Sequence, residues 1–290
     1  MGLRAAGRAL VAAVSLALVV AAAPAEAGSR DAATRRAAGP TTVFAFADPE
    51  IVESSALVVR GGLFLTVNDA GNPGRLFVVD ATGATVGTTG WAESPIDPEA
   101  LAPIDDDEVW VGDTGGNLTP RTSVQVMRLP FGREAQSLDP PVYDLAYPAG
   151  THDAEALLAN PRTGRLFVIT KVWTGEGTLY RAPKRLSTTT ANPLKAIGTM
   201  PAVVTDASFF PDGHHVILRD YKSATVYAFP SLTSLGTFAL PEQRQGEGLG
   251  VDEDGKVYLS SEGQFSEVVK VPLPKKIKKA MKKGATKPTA

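Results

Sequence analysis

Carboxylate side chains recur along the chain in five short acidic or polar signatures, each placed before or within an apolar segment. The signatures occupy residues 53–57, 97–101, 153–157, 206–210 and 245–249. Carboxylates held close together repel one another, which raises their pKa values unless a cation compensates the charge. A site built only from oxygen ligands suits a hard cation such as Ca²⁺. The signatures therefore predict a calcium site, on the condition that the fold brings them to one place.

Five acidic residues within these signatures are predicted to ligate the metal. They are Glu99, Glu155, Glu247, Asp153 and Asp206. A structural interpretation competes with this one, because acidic side chains at turns commonly accept hydrogen bonds from backbone N–H groups. The sequence alone leaves both interpretations open.

A second set of polar residues follows the next predicted strand of each repeat and is expected at the same end of the fold. Two of its members are cations, which either bind an anionic ligand or neutralise neighbouring carboxylates. A histidine directly before the third signature could act as a general base. The predicted ligand-binding residues are Asp69, Asp113, His152, Lys171 and Arg219.

Motifs of common hydrolases and nucleotide-binding enzymes are missing from the sequence. There is no Gly-x-Ser-x-Gly elbow, no His-Glu-x-x-His pair, no Walker loop and no cysteine. These absences favour a binding protein that is not an enzyme.

The elements that must position these residues are predicted to be β-strands. Each signature leads into a turn rich in Gly, Asp or Pro, and two further β-rich segments follow the turn. Four strands repeated every 40 to 55 residues, roughly, are typical of β-propeller blades. We therefore predict an all-β fold, a β-propeller of five four-stranded blades, in which the signatures converge on the central channel. A β-sandwich is the competing architecture, but a sandwich gives no reason for one signature to recur.

Closure of the ring is predicted from the two ends of the repeats. The last repeat stops at its third strand, residues 267–271, whereas residues 42–46 form a strand that precedes the first repeat. Pairing of that N-terminal strand with the last blade would close the ring and give the edge strand of that blade a partner. A sixth blade that includes residues 139–147 is the alternative.

The chain ends suggest export and a basic tail. Residues 1–27 have the charged start, apolar run and small-residue cleavage pattern of a signal peptide, with a retained membrane anchor as the alternative. Residues 28–39 are predicted to be a flexible leader, 40–274 the propeller and 275–290 a basic disordered tail. The expected location is extracellular, with association to the cell surface as an extension of that prediction.

Charge is distributed very unevenly. The net charge is −2, residues 1–39 carry +3 and residues 275–290 carry +7, which leaves −12 for residues 40–274. An acidic body argues against nucleic acid as a partner. The tail places Ile277, Ala280 and Met281 at helical spacing opposite a lysine face, so contact with an anionic cell envelope is the alternative to a solvated tail.

Several motifs carry a resemblance to a known family. Residues 68–71 (Asn-Asp-x-Gly), 111–115, 153–157, 211–213 (Pro-Asp-Gly) and 245–247 (Gln-Gly-Glu) resemble a family of secreted bacterial β-propellers. That family is distantly similar to NHL-type, SMP-30-like and phytase-like propellers. The resemblance implies a secreted propeller and a channel that often holds Ca²⁺ or another divalent ion. Ala100 and Gly116 stand where the family pattern has acidic residues.

The distant relatives in that resemblance also suggest an enzymatic alternative. Phytase-like and SMP-30-like propellers imply a metal-dependent hydrolase of phosphoesters or lactones. The leading prediction is a non-catalytic exported propeller that binds a cation at an acidic channel mouth, together with a small ligand or a protein loop.

Overall fold

The computed structural model describes residues 39–91, 94–116 and 121–284. The predicted signal peptide and nearly all of the predicted leader lie outside the described residues. The elements within the described part of the chain are, in order, β1 (Thr41–Ala45), β2 (Val58–Arg60), β3 (Leu63–Val67), β4 (Arg75–Val79), β5 (Thr85–Trp91), β6 (Pro98–Pro103), β7 (Glu108–Asp113), β8 (Ser123–Pro130), β9 (Ala135–Leu138), β10 (Val142–Ala146), β11 (Asp153–Ala159), β12 (Leu166–Lys171), β13 (Glu176–Arg181), β14 (Asn192–Pro193), β15 (Lys195–Pro201), β16 (Asp206–Phe209), β17 (His215–Arg219), β18 (Ser223–Ala228), β19 (Thr233–Ala239), β20 (Leu249–Val251), β21 (Val257–Leu259), β22 (Glu267–Val271) and α1 (Lys275–Gly284).

These strands form five sheets, and each sheet is one blade of a β-propeller. From the channel outward, blade 1 is β2-β3-β4-β5, blade 2 is β6-β7-β8-β10, blade 3 is β11-β12-β13-β15, blade 4 is β16-β17-β18-β19 and blade 5 is β20-β21-β22-β1. The innermost strands contact one another around a closed ring, in the order β2, β6, β11, β16, β20 and back to β2. The predicted fold of five four-stranded blades is confirmed.

The alternative with a sixth blade is wrong. Residues 139–147 contain β10, which pairs antiparallel with β8 through Val142 opposite Met127 and Leu145 opposite Val124. This segment is therefore the outer strand of blade 2.

The predicted closure of the ring is also confirmed. β1 pairs antiparallel with β22, with Thr41 opposite Lys270 and Ala45 opposite Glu267. The aromatic ring of Phe44 packs edge-on against Phe46 and Phe64, which ties the N-terminal strand to the core between blades 5 and 1. The edge that β22 would otherwise expose is thus paired.

Two short strands extend blades 1 and 2 to five strands. β9 pairs in parallel with β5, and β14 pairs in parallel with β10. Each of them lies in the chain between the third and fourth strands of the next blade, so it links a blade to its neighbour. Neither strand was predicted from the sequence.

The hydrophobic core consists of apolar layers between adjacent blades. In β12, Leu166 and Val168 pack toward blade 2, whereas Phe167 and Ile169 pack toward blade 4. Successive side chains of a strand point to opposite faces of its sheet. A strand buried on both faces therefore has an unbroken apolar sequence, as residues 166–169 do.

The prediction of a disordered tail differs from the structure over residues 275–284, which form the helix α1. Ile277 is 3% exposed and packs with Leu273 and Val257, and Met281 packs against the same layer. Residues four positions apart lie on one face of a helix, so both apolar side chains meet the propeller. The sequence alone does not show the apolar surface of the propeller against which these two side chains pack. Residues 285–290 lie outside the described residues, and no helix in the described part of the chain is long and apolar enough to cross a membrane.

Candidate metal centre

The first strands of the blades bring their polar residues together at one end of the channel, which we call the channel mouth. An open cavity of about 860 Å³ lies there, and its walls include Asp69, Glu99, Glu247 and Lys171. The loop 240–245 forms another part of its wall. The carboxyl groups at this place form an acidic cluster, defined as Asp69, Asp97, Glu99, Asp153, Glu155, Glu247 and Glu262.

Two β-bulges position the most deeply buried members of the acidic cluster. The register of β6 against β7 shifts between Pro98 and Ala100, and that of β11 against β12 shifts between Ala154 and Ala156. The extra residues are Glu99 and Glu155, which are 2% and 1% exposed. A bulged residue is not paired in the ladder of backbone hydrogen bonds, and its side chain points in a different direction from that of a regularly paired residue. These bulges direct two glutamates into the channel.

Three carboxyl groups lie close enough to share one ion. Asp69, Asp97 and Glu99 each offer an oxygen, and these three oxygens lie within 4.8 Å of one another. Oxygens bound to one Ca²⁺ at about 2.3–2.6 Å are at most roughly 5 Å apart. The spacing therefore fits a single calcium ion. Asp69 was predicted as a ligand-binding residue, and Asp97 was not among the predicted metal ligands although it begins a signature.

Hydrogen bonds connect the glutamates of neighbouring blades. The Ser55 hydroxyl contacts Glu99 Oε2 and lies 3.4 Å from Glu247 Oε2. Glu247 Oε1 accepts from Gln245 Nε2 at 3.2 Å and from the Tyr221 hydroxyl at 3.4 Å. One hydroxyl proton cannot serve two carboxylates at once, so Ser55 donates to Glu99 while Gln245 and Tyr221 donate to Glu247.

The side chain of Lys171 places a positively charged ammonium group within the acidic cluster. Its Nζ lies 2.8 Å from Glu155 Oε1, and both side chains are almost fully buried. Burial lowers the pKa of Lys171, but the Glu155 carboxylate outweighs that effect and raises the pKa above its usual value. Lys171 therefore stays charged and compensates one carboxylate of the cluster.

The remaining negative charge raises the pKa values of the carboxyl groups. Burial, followed by a hydrogen bond with Asp69, raises the pKa of Asp97 to about 7. Burial and then the charges of Glu155 and Asp69 raise the pKa of Glu99 well above its usual value. Burial raises the pKa of Glu155 to about 8 although Lys171 opposes the shift. Burial and a hydrogen bond with Glu247 raise the pKa of Glu262 to about 9.

These shifts predict a falling stability as the pH rises in the absence of metal. The folded protein keeps protons on Asp97 and Glu262, whose pKa values are about 7 and about 9, that the unfolded chain has already released. Stability decreases with pH wherever the folded state binds more protons. The melting temperature in excess chelator is expected to fall between about pH 5 and pH 9, and saturating Ca²⁺ should reduce that fall. A melting temperature that stays constant or increases over this range in chelator would contradict the assigned burial of these charges.

Asp206 and Arg219, which were predicted to bind metal and ligand, lie outside the acidic cluster and form hydrogen bonds with backbone atoms. Asp206 Oδ2 accepts from the backbone N–H of Leu249 at 2.6 Å, and its Oδ1 accepts from that of Ala207 at 2.7 Å. Arg219 donates to the carbonyl oxygens of Gly248 and Ser260 at 3.0 and 3.2 Å. Both side chains are 1% exposed and join blade 4 to blade 5. The structural interpretation is therefore the one that applies to Asp206.

Asp113 and His152 support the site without lining the cavity. Asp113 accepts from the backbone N–H groups of Ile96 and Asp97 at 2.8 and 3.0 Å and pairs with Arg121. It thereby holds the segment that carries Asp97. The His152 ring packs between Tyr147 and Tyr180, and its Nε2 lies 3.0 Å from the Ala149 carbonyl oxygen.

Asp153, a predicted ligand, lies at the edge of the acidic cluster. Its Oδ1 accepts from the backbone N–H of Gly116 at 2.9 Å. Burial raises the pKa of Asp153, although the Lys171 charge opposes the shift. Asp153 therefore adds negative charge beside the three carboxyl groups whose oxygens lie within 4.8 Å of one another, those of Asp69, Asp97 and Glu99.

Gly115 packs directly against two carboxyl groups of the acidic cluster, so a side chain there would collide with them. A Cβ atom there would lie 2.5 Å from Asp97 Cγ and 2.7 Å from Glu99 Cγ. Contacts this short force a neighbour to move, and the nearest neighbours are two of the three carboxyl groups that lie within reach of one ion.

Gly115→Ala is therefore expected to weaken Ca²⁺ binding by about tenfold or more, since a displacement near 1 Å is enough to disrupt a built site. The measurement is a calcium titration by calorimetry. Gly132→Ala is the matched control, because a Cβ atom at Gly132 meets nothing within 4 Å. Equal affinities of the two variants would argue against Asp97 and Glu99 as ligands.

Comparison with known proteins supports the architecture. No family model and no curated protein matches this chain. Two solved structures of glucose dehydrogenase are similar to it at 11% identity, with TM-scores of 0.50 and 0.49, and each comparison covers 81% of this chain and 99% of the other chain. The likeness at a TM-score of 0.50 agrees with the propeller fold. Fold and site together define a five-bladed β-propeller with an acidic channel mouth.

Proposed function

We propose that this protein is an exported, non-catalytic β-propeller that binds a divalent cation at its channel mouth, with Ca²⁺ as the preferred ion. The observation that carries the proposal is the group of three carboxyl oxygens from Asp69, Asp97 and Glu99 within 4.8 Å of one another. Around them stand four further carboxyl groups and one ammonium group, that of Lys171. A bound cation would compensate this excess of negative charge.

The donor set favours calcium among the common divalent ions. The three grouped ligands are carboxylates, without the nitrogen or sulfur donors that zinc prefers. Magnesium demands near-ideal octahedral geometry, whereas calcium accepts irregular sets of six to eight oxygens. A cavity of about 860 Å³ leaves space for water or for ligand oxygens to complete the coordination.

The same cavity offers a surface for a small ligand above the cation. Trp173 lies in its wall, is 68% exposed and stands 5.4 Å from Lys171 Nζ, measured to the ring centre. Tyr221 lies on another side of that ammonium group, at 5.8 Å. Aromatic faces beside a fixed charge bind flat polar ligands by stacking and hydrogen bonding. A small ligand with a planar or ring-shaped body is therefore proposed to bind here.

The test is a thermal melt of chelator-treated protein followed by a Ca²⁺ titration. A ligand that binds only the folded state raises its stability by about 2.7 kcal/mol at 100 times the dissociation constant. A saturable rise in melting temperature is expected. Glu134→Gln serves as control, because Glu134 is exposed and should leave the rise unchanged. No rise with Ca²⁺, Mg²⁺ or Mn²⁺ would refute the proposed cation site.

A metal-dependent hydrolase is the second candidate, and one observation favours it. Burial raises the pKa of Glu155 to about 8, close to the value that suits a general acid or base near neutral pH. Assays with phosphoesters and lactones, each with and without Ca²⁺, separate the candidates. Calcium-dependent turnover of any of these substrates would replace the non-catalytic proposal, whereas no turnover on any of them would support a protein that only binds.

A further inference from the structure

Helix α1 presents a dense positive charge to solvent. Six of its ten residues are lysines, the helix has no acidic residue, and all six lysines are exposed: Lys275, Lys276, Lys278, Lys279, Lys282 and Lys283. At 100° per residue, these lysines occupy an arc of about 160° on one side of the helix. The helix therefore carries a continuous lysine face.

The apolar side of α1 is already occupied by the propeller. Ile277 is 3% exposed, and Met281 packs against the layer between blades 4 and 5. The helix contacts β18 and β19 of blade 4. A free amphipathic helix inserts its apolar side into a membrane interface, but here that side is buried in protein. Only the lysine face is left for a partner, so the contact is electrostatic.

The lysine face lies at the end of the propeller opposite the channel mouth. A second cavity, of about 810 Å³, is lined by Lys278 and Lys282 of α1 together with Asp212 and Asp254. Asp212 and Asp254 belong to the turns that end the inner strands β16 and β20, whereas the channel mouth lies where those strands begin. The positive and negative regions are therefore on opposite faces.

Two acidic residues beside the lysine face are already paired with basic residues of the propeller. Asp254 pairs with Lys256 at 2.5 Å, and Asp212 pairs with His215 at 2.6 Å. Residues 40–274 carry a net charge of −12. An anionic surface would therefore attract α1 and repel the rest of the propeller, which selects one orientation.

We propose that α1 holds the propeller on a lipid bilayer through the phosphates of anionic headgroups, with the channel mouth directed away from the membrane. A flat array of headgroups can meet lysines spread along one whole side of a helix. Each lysine near an anionic bilayer strengthens binding about fivefold. This inference is independent of what the cavity binds.

The experiment is sedimentation of the full chain with vesicles of phosphatidylcholine containing 30% phosphatidylglycerol, roughly, and with vesicles of phosphatidylcholine alone. Binding is expected with the anionic vesicles and should be lost in high salt. Lys275→Glu, Lys278→Glu and Lys282→Glu together should lower the partition coefficient by about 100-fold or more. The control reverses Lys222 and Arg244, two exposed cations at the channel mouth, and should lower it much less.

A loss per reversed charge in the control equal to that in the α1 variant would overturn the proposal, since it would show a dependence on net charge rather than on α1. Equal binding to both kinds of vesicle would overturn it too, as would tighter binding to soluble polyphosphate than to anionic vesicles. An unchanged melting temperature shows that the variants fold. Orientation has its own readout, because acrylamide should quench the fluorescence of the exposed Trp173 equally with and without vesicles. Protection of Trp173 would contradict the outward-facing mouth.

Discussion

Arg219→Met is expected to lower the free energy of unfolding by about 3–5 kcal/mol, because it leaves two buried carbonyl oxygens without a donor, at about 1–3 kcal/mol each. Arg219 is 1% exposed and joins blade 4 to blade 5 through the carbonyl oxygens of Gly248 and Ser260. Burial lowers its pKa to about 10, so the side chain is charged at neutral pH. Its loss would leave the carboxylate of Asp206 without the nearby positive charge. Chemical denaturation measures the change.

Two further variants test whether Arg219 and Asp206 stabilise each other or whether any loss of positive charge has the same effect. Arg133→Met removes an exposed arginine and should change the free energy of unfolding by less than about 0.5 kcal/mol. Asp206→Asn removes the charge of the partner while keeping one oxygen acceptor. Combined with Arg219→Met, it should cost less than the sum of the two single changes. Strict additivity would show that the two side chains do not stabilise each other.

The double variant Glu99→Gln and Glu247→Gln is expected to change stability in opposite directions with and without calcium. In chelator near pH 9 it should raise the free energy of unfolding by about 1–3 kcal/mol, since it removes two buried charges that repel. The same variant should weaken Ca²⁺ binding by about 100-fold or more, because a glutamine oxygen carries no charge. Glu155 is left in place because its loss would strand the buried ammonium group of Lys171.

Thermal melts at two calcium concentrations measure both effects in one experiment. The controls are Glu134→Gln and Glu253→Gln, two exposed glutamates outside the acidic cluster. They should show the calcium-dependent rise of the unchanged protein. A double variant that is destabilised in chelator and still stabilised by Ca²⁺ would mean that Glu99 and Glu247 are structural residues.

The architecture could be predicted from the sequence because each blade repeats the same local information. One signature, one turn and two β-rich segments recur, and the N-terminal strand has no partner within its own repeat. The five blades and the pairing of β1 with β22 follow from these features. β9 could not be predicted, because the segment Ala135–Leu138 is exposed and lacks an apolar alternation. It is held by pairing with a neighbouring blade, which is a property of the assembled ring.

The sequence predicted that the signatures meet at one end of the channel, and the register of each inner strand decides which of their side chains come together there. β6 and β11 have bulges at Glu99 and Glu155, which send these side chains to the channel mouth. β16 pairs with β17 without any shift, from Asp206 opposite Arg219 onward. A change of one residue in register moves side chains to the other face of a strand. Similar signatures therefore gave different side-chain positions, and only the folded structure distinguishes them.

The most direct test of the central claim is a crystal structure of the protein in saturating Ca²⁺, with anomalous difference density recorded at long wavelength. The proposed function predicts one strong peak at the channel mouth, about 2.3–2.6 Å from carboxyl oxygens of Asp69, Asp97 and Glu99. An ordered channel mouth without a peak, or calcium bound only at exposed acids such as Asp105 and Asp107, would contradict it.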